Sequence, residues 1–292
     1  MSDLHLAALL AIVAACVFAI GAQLSRLGLR TIDAQNGAFI SILTAAVMYW
    51  AVAPWLLEFT FWLWPAIAFF IAAGLFRPAI SSAFAMAGTA VLGPTISTTI
   101  SSSAPLFGLA AGVLFLDEPL TAPVTAGTVL VIVGVVLLAR RPGNSMAQHW
   151  PLWALLLPLG AAVIRVGAHL VTKLGMEDIP SPYFAGLVGY TASLGVASAN
   201  LLRRRQNPRV LLAKSGAGWF IATGVMFGIA VGTLNLALLY GPLSIVAPLV
   251  SLEALAVLLL GVTVFGEKNI TPRVVLAALV VVAGAALITT QR

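Results

Sequence analysis

Residues 93–123 read GPTISTTISSSAPLFGLAAGVLFLDEPLTAP, and residues 241–272 read GPLSIVAPLVSLEALAVLLLGVTVFGEKNITP. Both open on Gly-Pro, run through an apolar stretch and close on an acidic turn followed by Pro. The first copy has Gly93-Pro94, then Asp117-Glu118, then Thr121 and Pro123; the second has Gly241-Pro242, then Gly266-Glu267, then Thr271-Pro272. The offset is about 148 residues in a chain of 292, which is an internal duplication. A second match lies near the front of each copy, where Leu24-Ser25-Arg26-Leu27-Gly28 parallels Val171-Thr172-Lys173-Leu174-Gly175. Pro123 and Pro272 stand where a helix would start, a position at which the missing N–H costs nothing.

The solvent of this chain follows from its composition. Of its residues 61% are hydrophobic and 8% charged, with a mean hydropathy of +1.08, which leaves too little polar surface for a water-soluble domain. A spanning helix needs roughly 20 apolar residues. The apolar runs predict ten spans, at 4–25, 35–56, 62–88, 93–115, 122–139, 150–175, 181–202, 215–239, 242–264 and 271–289. The predicted fold class is therefore an all-α integral membrane protein of ten transmembrane helices. The duplication divides it into two five-helix repeats, residues 1–143 and 144–292. Five is odd, so the second repeat enters the membrane from the opposite side, and the halves are inverted about an axis in the membrane plane.

Other classes fit poorly. The single cysteine, Cys16, excludes an intrachain disulfide framework and reads as a packing residue in the first span. The net charge of +6 does not point to nucleic acid, because the basic residues sit in short loops and not in a stripe with interleaved aromatics. The first span follows Asp3 instead of a basic segment and has a counterpart in the second repeat, so it reads as a permanent helix and not as a cleaved signal. Trp50, Trp55, Trp62, Trp64, Trp150, Trp153 and Trp219 fall near span ends, as headgroup-level anchors do. Arg26, Arg30, Arg140, Arg141, Arg203, Arg204, Arg205, Arg209, Lys214, Lys268 and Arg273 gather on one face, against Lys173 and Arg292 on the other. The positive-inside rule then puts both termini outside the cytoplasm.

No nucleotide-binding Gly-x-x-x-x-Gly-Lys-Ser/Thr run occurs, nor any hydrolase or metal-ligand motif, and His5, His149 and His169 are scattered. No enzyme activity, cofactor or metal is expected; transport would be facilitated or coupled to a gradient. An ionisable group inside a span costs about 2.5 to 3.5 kcal/mol on insertion scales, so each needs a partner or a cavity. Arg77, Arg165, His169 and Glu253 are such groups, in the third, sixth, sixth and ninth predicted spans. The bland reading is a structural ion pair between Glu253 and one arginine. Two arginines against one glutamate still leave an excess positive charge, which suits a carboxylate gripped by a planar guanidinium fork and repels a cationic drug.

Polar residues at helical spacing extend the candidate site. Arg165, His169 and Thr172 share a face, as do Arg77 and Ser81, and Thr98, Ser101, Ser102 and Pro105; Asn235 lies close to the Gly224, Gly228, Gly232 face. The hydroxyls fit either a cavity or helix–helix glue, and the glycines read as packing surfaces. Pro78, Pro105, Pro158 and Pro248 fall inside predicted spans, as hinges or as static bends. Charge, Ser/Thr-rich faces and proline coincide in spans 3, 4, 6 and 9. With spans 8 and 1 these are predicted to line a cavity, leaving 2, 5, 7 and 10 peripheral. The charges break the repeat: Arg165 aligns with Phe18 and Glu253 with Ala104.

The halves resemble the paired EamA domains of the drug/metabolite transporter superfamily. The matching segments run from Pro105 to Leu116-Asp117-Glu118-Pro119-Leu120-Thr121, and from Leu252-Glu253-Ala254 to Phe265-Gly266-Glu267, with Asp117 in place of the usual Gly and Ala254 in place of the usual Pro. The single-chain ten-helix form is similar to the YddG-type amino-acid exporters of bacteria. That resemblance implies a multi-pass inner-membrane exporter of amino acids or related small metabolites. Arg77 or Arg165 would orient the carboxylate, Glu253 would hold the other arginine, and His169 would tune the site or carry protons. The alternatives are a carrier of another organic anion or drug, and a non-transporting scaffold. A scaffold requires paired, dry polar groups at the midplane; a carrier requires a cavity that opens to one side.

Overall fold

Apolar runs punctuated by Gly, Pro and charge become helices separated by short connections. The computed structural model describes residues 3–92, 97, 100–101, 103–139, 151–264 and 272–289. In chain order the first half carries α1 (Asp3–Gly28), α2 (Ala34–Leu56), α3 (Ala66–Gly74), a wide turn at Leu75–Ile80, α4 (Ser81–Leu92), α5 (Ala104–Phe115) and α6 (Ala122–Ala139). The second carries α7 (Leu156–Asp178), α8 (Pro182–Arg203), a short α9 (Pro208–Leu212), α10 (Ala217–Tyr240), α11 (Leu243–Val250), α12 (Glu253–Thr263) and α13 (Pro272–Thr289). No strand occurs among the described residues. Among the described residues six segments are long and apolar enough to cross a bilayer: Asp3–Gly28, Ala34–Leu56, Leu152–Asp178, Pro182–Arg203, Ala217–Tyr240 and Leu243–Thr263. Ala66–Arg77, Ala104–Phe115, Ala122–Leu137 and Val275–Thr289 are shorter apolar helices.

Helix packing repeats across the two halves. α1 runs along α10 as α3 and α4 run along α7, and α2 meets α10 as α8 meets α3. α1 touches α11 and α12, while its counterpart α7 touches α5. Three further pairs map onto themselves under the same exchange: α2 with α8, α5 with α11, and α6 with α13. Lipid supplies no hydrophobic force between helices, so close backbone approach through small residues has to do it. On α1, Ala7, Ala11, Ala14, Ala15 and Ala19 are fully buried. Between α6 and α13, a Cβ on Gly284 would lie 2.7 Å from the Gly127 carbonyl oxygen and 2.9 Å from the Val131 nitrogen. We expect Gly284→Ala to lower stability by about 1–3 kcal/mol through overpacking, read as an earlier thermal unfolding in detergent. Solute affinity should not change, because no residue of this pair lines the cavity described below.

Several prolines sit differently from expectation. The third predicted span is not one helix: Arg77 is extended (φ −129°, ψ 129°), because the residue before a proline, here Pro78, is driven out of the helical region. The ninth is also broken, with α11 ending two residues after Pro248 and α12 starting at Glu253. Pro105 and Pro158 do not interrupt a ladder. Pro105 is in the opening turn of α5, and Pro158 in the first turn of α7, where N–H groups have no intrahelical partner anyway. Cys16 is exposed on α1 instead of packed. Among the described tryptophans Trp50, Trp55, Trp62, Trp64, Trp153 and Trp219 are exposed, as membrane-interface rings are; Trp150 lies outside the described residues.

One face is tied across the halves by Glu118, in the loop before α6. The loop turns back through Asp117, whose φ of 50° is left-handed, and the Glu118 amide donates to the Gly112 carbonyl at 3.1 Å. Its carboxylate accepts from the backbone N–H groups of Leu243 (2.6 Å) and Ser244 (2.8 Å), at the start of α11, where the helix dipole favours an anion. Lys173, near the end of α7, completes the knot: its Nζ lies 3.2 Å from Glu118 Oε1 and donates to the Gly241 carbonyl at 2.7 Å. Gly112 has to be glycine here, because a Cβ would collide with Glu118 Oε2.

Candidate functional site

A cavity of about 200 Å³ opens between α1, α2, α3, α7, α8 and α10. Its polar end is built at the broken third segment. Arg77 Nη1 lies 3.5 Å from His169 Nδ1, a contact that needs the Nε2–H tautomer with Nδ1 accepting. The guanidinium carbon also sits 5.9 Å from the Phe18 ring centroid, near the outer limit of a cation–π contact. Thr172 and Asn235 face the same space. Asn235 is anchored by its Nδ2, which donates to the Pro182 carbonyl at 3.2 Å. Phe18, Ile42, Phe227 and Val231 form an apolar wall.

α8 supplies the third side through Gly186, Gly189, Tyr190 and Ser193, which share one helical face. The glycines admit neighbours: a Cβ at Gly186 would reach the Tyr49 ring, with 2.6 Å to its Oη. Tyr49 donates to the Gly228 carbonyl at 3.0 Å and its ring lies 5.5 Å from Tyr190 and 5.8 Å from Tyr183, so three tyrosines brace the wall. Tyr190 and Tyr49 are both within electrostatic reach of Arg77. Ser193 Oγ lies 2.8 Å from the Gly74 carbonyl oxygen, 3.1 Å from that of Arg77 and 2.9 Å from that of Gly189, stitching α8 to the break.

The remaining candidates are placed elsewhere. Arg165 is exposed and Glu253 half-buried, and neither is among the described residues that line the cavity. Among the described residues no ion pair within hydrogen-bonding reach joins Glu253 to Arg77 or Arg165. Direct ion pairs join Lys173 to Glu118 and Arg204 to Asp33. Glu253 instead occupies the first turn of α12, where the exposed helix N–H groups stabilise a carboxylate. Ser81 donates to the Ala161 carbonyl at 3.1 Å and Ser101 to the Pro158 carbonyl at 3.5 Å, so both bridge onto α7 as glue. Thr98 and Ser102 lie outside the described residues. No group of three His, Cys, Asp or Glu side chains able to hold a metal occurs among the described residues.

The lining departs from expectation in one respect. α2 and α8, predicted to be peripheral, contribute Ser41, Ile42 and the Gly186–Ser193 face, while α5, α11 and α12 contribute none of the described lining residues. The second and seventh spans carry no mid-span charge, so charge and proline do not single them out. The signal in the seventh was the small and polar residues at i, i+3, i+4 and i+7.

The EamA-like transporter family profile matches residues 5–140 and again residues 152–290. A solved crystal structure with 18% sequence identity superposes with a TM-score of 0.80, covering 96% of this chain and 95% of that one. At that identity the likeness concerns the fold alone. No curated protein matches the sequence significantly.

Proposed function

The chain belongs to the EamA-like transporter family, a multi-pass membrane transporter matched in both halves, and from that premise we propose that it exports amino acids or related small anionic or zwitterionic metabolites by alternating access. The observation that carries the solute class is Arg77: a guanidinium on the cavity wall with no direct carboxylate partner among the described residues. Its fork is free to take a solute carboxylate through two parallel hydrogen bonds. Among the described residues no Asp or Glu lines the cavity, so a cation finds no counter-charge on that wall. The size also favours a small metabolite, since about 200 Å³ falls below the roughly 300–1,000 Å³ of sites for drug-sized ligands.

In this reading the repeats 1–143 and 144–292 are inverted and rock about the central cavity, as inverted-repeat carriers do. The Glu118–Lys173 knot, one turn of α7 beyond His169, closes one side. Charge bias assigns that side, with both termini, to the periplasm of a bacterial inner membrane. Outward direction and preference for amino acids rest on resemblance to the exporter subgroup. The test is uptake by substrate-loaded proteoliposomes across labelled amino acids, nucleotide sugars and cationic dyes, with and without a pH gradient. Saturable exchange of amino acids is expected; exchange of cationic dyes alone would reject the solute class.

A further inference from the structure

Arg77 accounts for a carboxylate and leaves the second charge of a zwitterion without a partner. Cationic side chains close to the cavity would repel an ammonium group, and among the described residues no acidic side chain lines the wall to attract one. What the wall does contain is a surplus of carbonyl oxygen. Pro78 has no N–H to give the Gly74 carbonyl an i→i+4 bond, and the turn at Leu75–Ile80 widens to the i→i+5 pattern around it, which leaves the second lone pair of that oxygen to Ser193. The extended dihedrals of Arg77 turn its carbonyl out of the helical ladder as well. Both oxygens lie at Ser193, 2.8 and 3.1 Å from its Oγ. The third neighbour, Gly189 O at 2.9 Å, lies inside α8 four residues before Ser193, the usual hydroxyl back-bond.

The numbers of donors and acceptors do not balance. One hydroxyl carries one proton and two lone pairs. It donates to one of the carbonyls at a time, which leaves unused acceptor capacity on the others and on Oγ itself. Gly74, Arg77, Gly189 and Ser193 all line the cavity, so this acceptor cluster borders the space a solute would occupy. Unwound backbone next to a central cavity serves cation coordination in membrane carriers by the same physics, since carbonyl oxygens replace a hydration shell where water is scarce. The guanidinium and one of the carbonyls belong to the same residue, Arg77, so an anion receptor and a cation receptor sit side by side at the break.

We infer that the carbonyl groups of Gly74 and Arg77, with the Ser193 hydroxyl, form the ammonium subsite of this cavity. The solute is then a zwitterion with its carboxylate on the Arg77 guanidinium, its ammonium on the broken turn, and an apolar side chain against Phe18, Ile42, Phe227 and Val231. This inference rests on the carboxylate reading of Arg77 and adds the second half of the polar head.

Competition in proteoliposomes separates the two. Uptake of labelled L-leucine is challenged with unlabelled L-leucine and with 4-methylpentanoate, which has the same skeleton and carboxylate but no amine. Wild-type protein should prefer L-leucine by about tenfold or more, the loss expected when a charge-assisted hydrogen bond is given up. Ser193→Ala should shrink that preference severalfold while leaving competition by 4-methylpentanoate nearly unchanged; a purely structural role would weaken both competitors together. Equal competition by the two compounds in wild-type protein overturns the ammonium subsite while leaving the carboxylate reading intact, and needs no variant to fold. A wild-type preference that Ser193→Ala does not alter overturns its placement at the break. If neither compound competes and only amines do, the carboxylate reading itself fails.

Discussion

Arg77→Gln should reduce amino-acid uptake into proteoliposomes by about 30-fold or more, and Arg165→Gln by far less. Truncating one partner of a desolvated, hydrogen-bonded charge pair costs roughly 2–5 kcal/mol, and each 1.4 kcal/mol is a factor of ten. Arg77 is on the cavity wall beside His169 and beneath Phe18, held there by an extended backbone that the following proline imposes. Glutamine keeps hydrogen-bond donors but loses the charge and the five-donor fork. Arg165 lies one turn before His169 on α7, exposed and outside the described cavity lining. Arg77→Lys is the informative intermediate, because it keeps the charge as a point and loses bidentate geometry. Full uptake by Arg77→Gln would remove the carboxylate assignment.

The second large effect is on stability. Glu118→Ala should destabilise the folded protein by about 3–5 kcal/mol, the range measured when one partner of a buried ion pair is deleted. The side chain is only 7% exposed, and its loss strands the Lys173 ammonium and two backbone N–H groups at the start of α11. Thermal unfolding in detergent measures it. Glu118→Gln should cost less, since an amide oxygen still accepts from one N–H. Combining Glu118→Leu with Lys173→Met should recover only part of the loss. Two apolar residues can replace an ion pair at little cost, but they cannot cap a helix. Full recovery would mean that the helix-capping contacts contribute nothing.

The membrane class and the duplication were legible in the sequence, because composition and a repeated Gly-Pro to Glu motif are properties of the chain itself. Their consequence in space also followed: α6 lies on α13, and α5 on α11, in pairs that exchange onto themselves. The site was half legible. Arg77, His169 and Asn235 stood out as polar groups in apolar runs, and they do line one cavity. Glu253 stood out for the same reason but is not among the described lining residues, and a helix break gives it an N-terminal turn that no pattern of charges reveals. Apolar runs read as continuous spans make Pro78 a hinge or a static bend within the third, whereas the extended backbone at Arg77 breaks it. Tyr190 and Ser193 were invisible to a search for charge, since their importance depends on what α3 brings against them. The Glu118 knot was present in pieces, as Glu118 in one motif and Lys173 in another, and only folding joins them.

The central claim is that the two halves alternate around one binding cavity, and trans-stimulation tests it most directly. Entry of labelled L-leucine is measured into proteoliposomes loaded with excess unlabelled L-leucine and into empty ones. An alternating-access carrier returns faster when occupied, so loaded vesicles should accumulate label severalfold faster and overshoot before decaying. Identical, non-saturating entry into loaded and empty vesicles would contradict alternation and indicate a pore; no entry of any solute in the panel would indicate a membrane protein that does not transport.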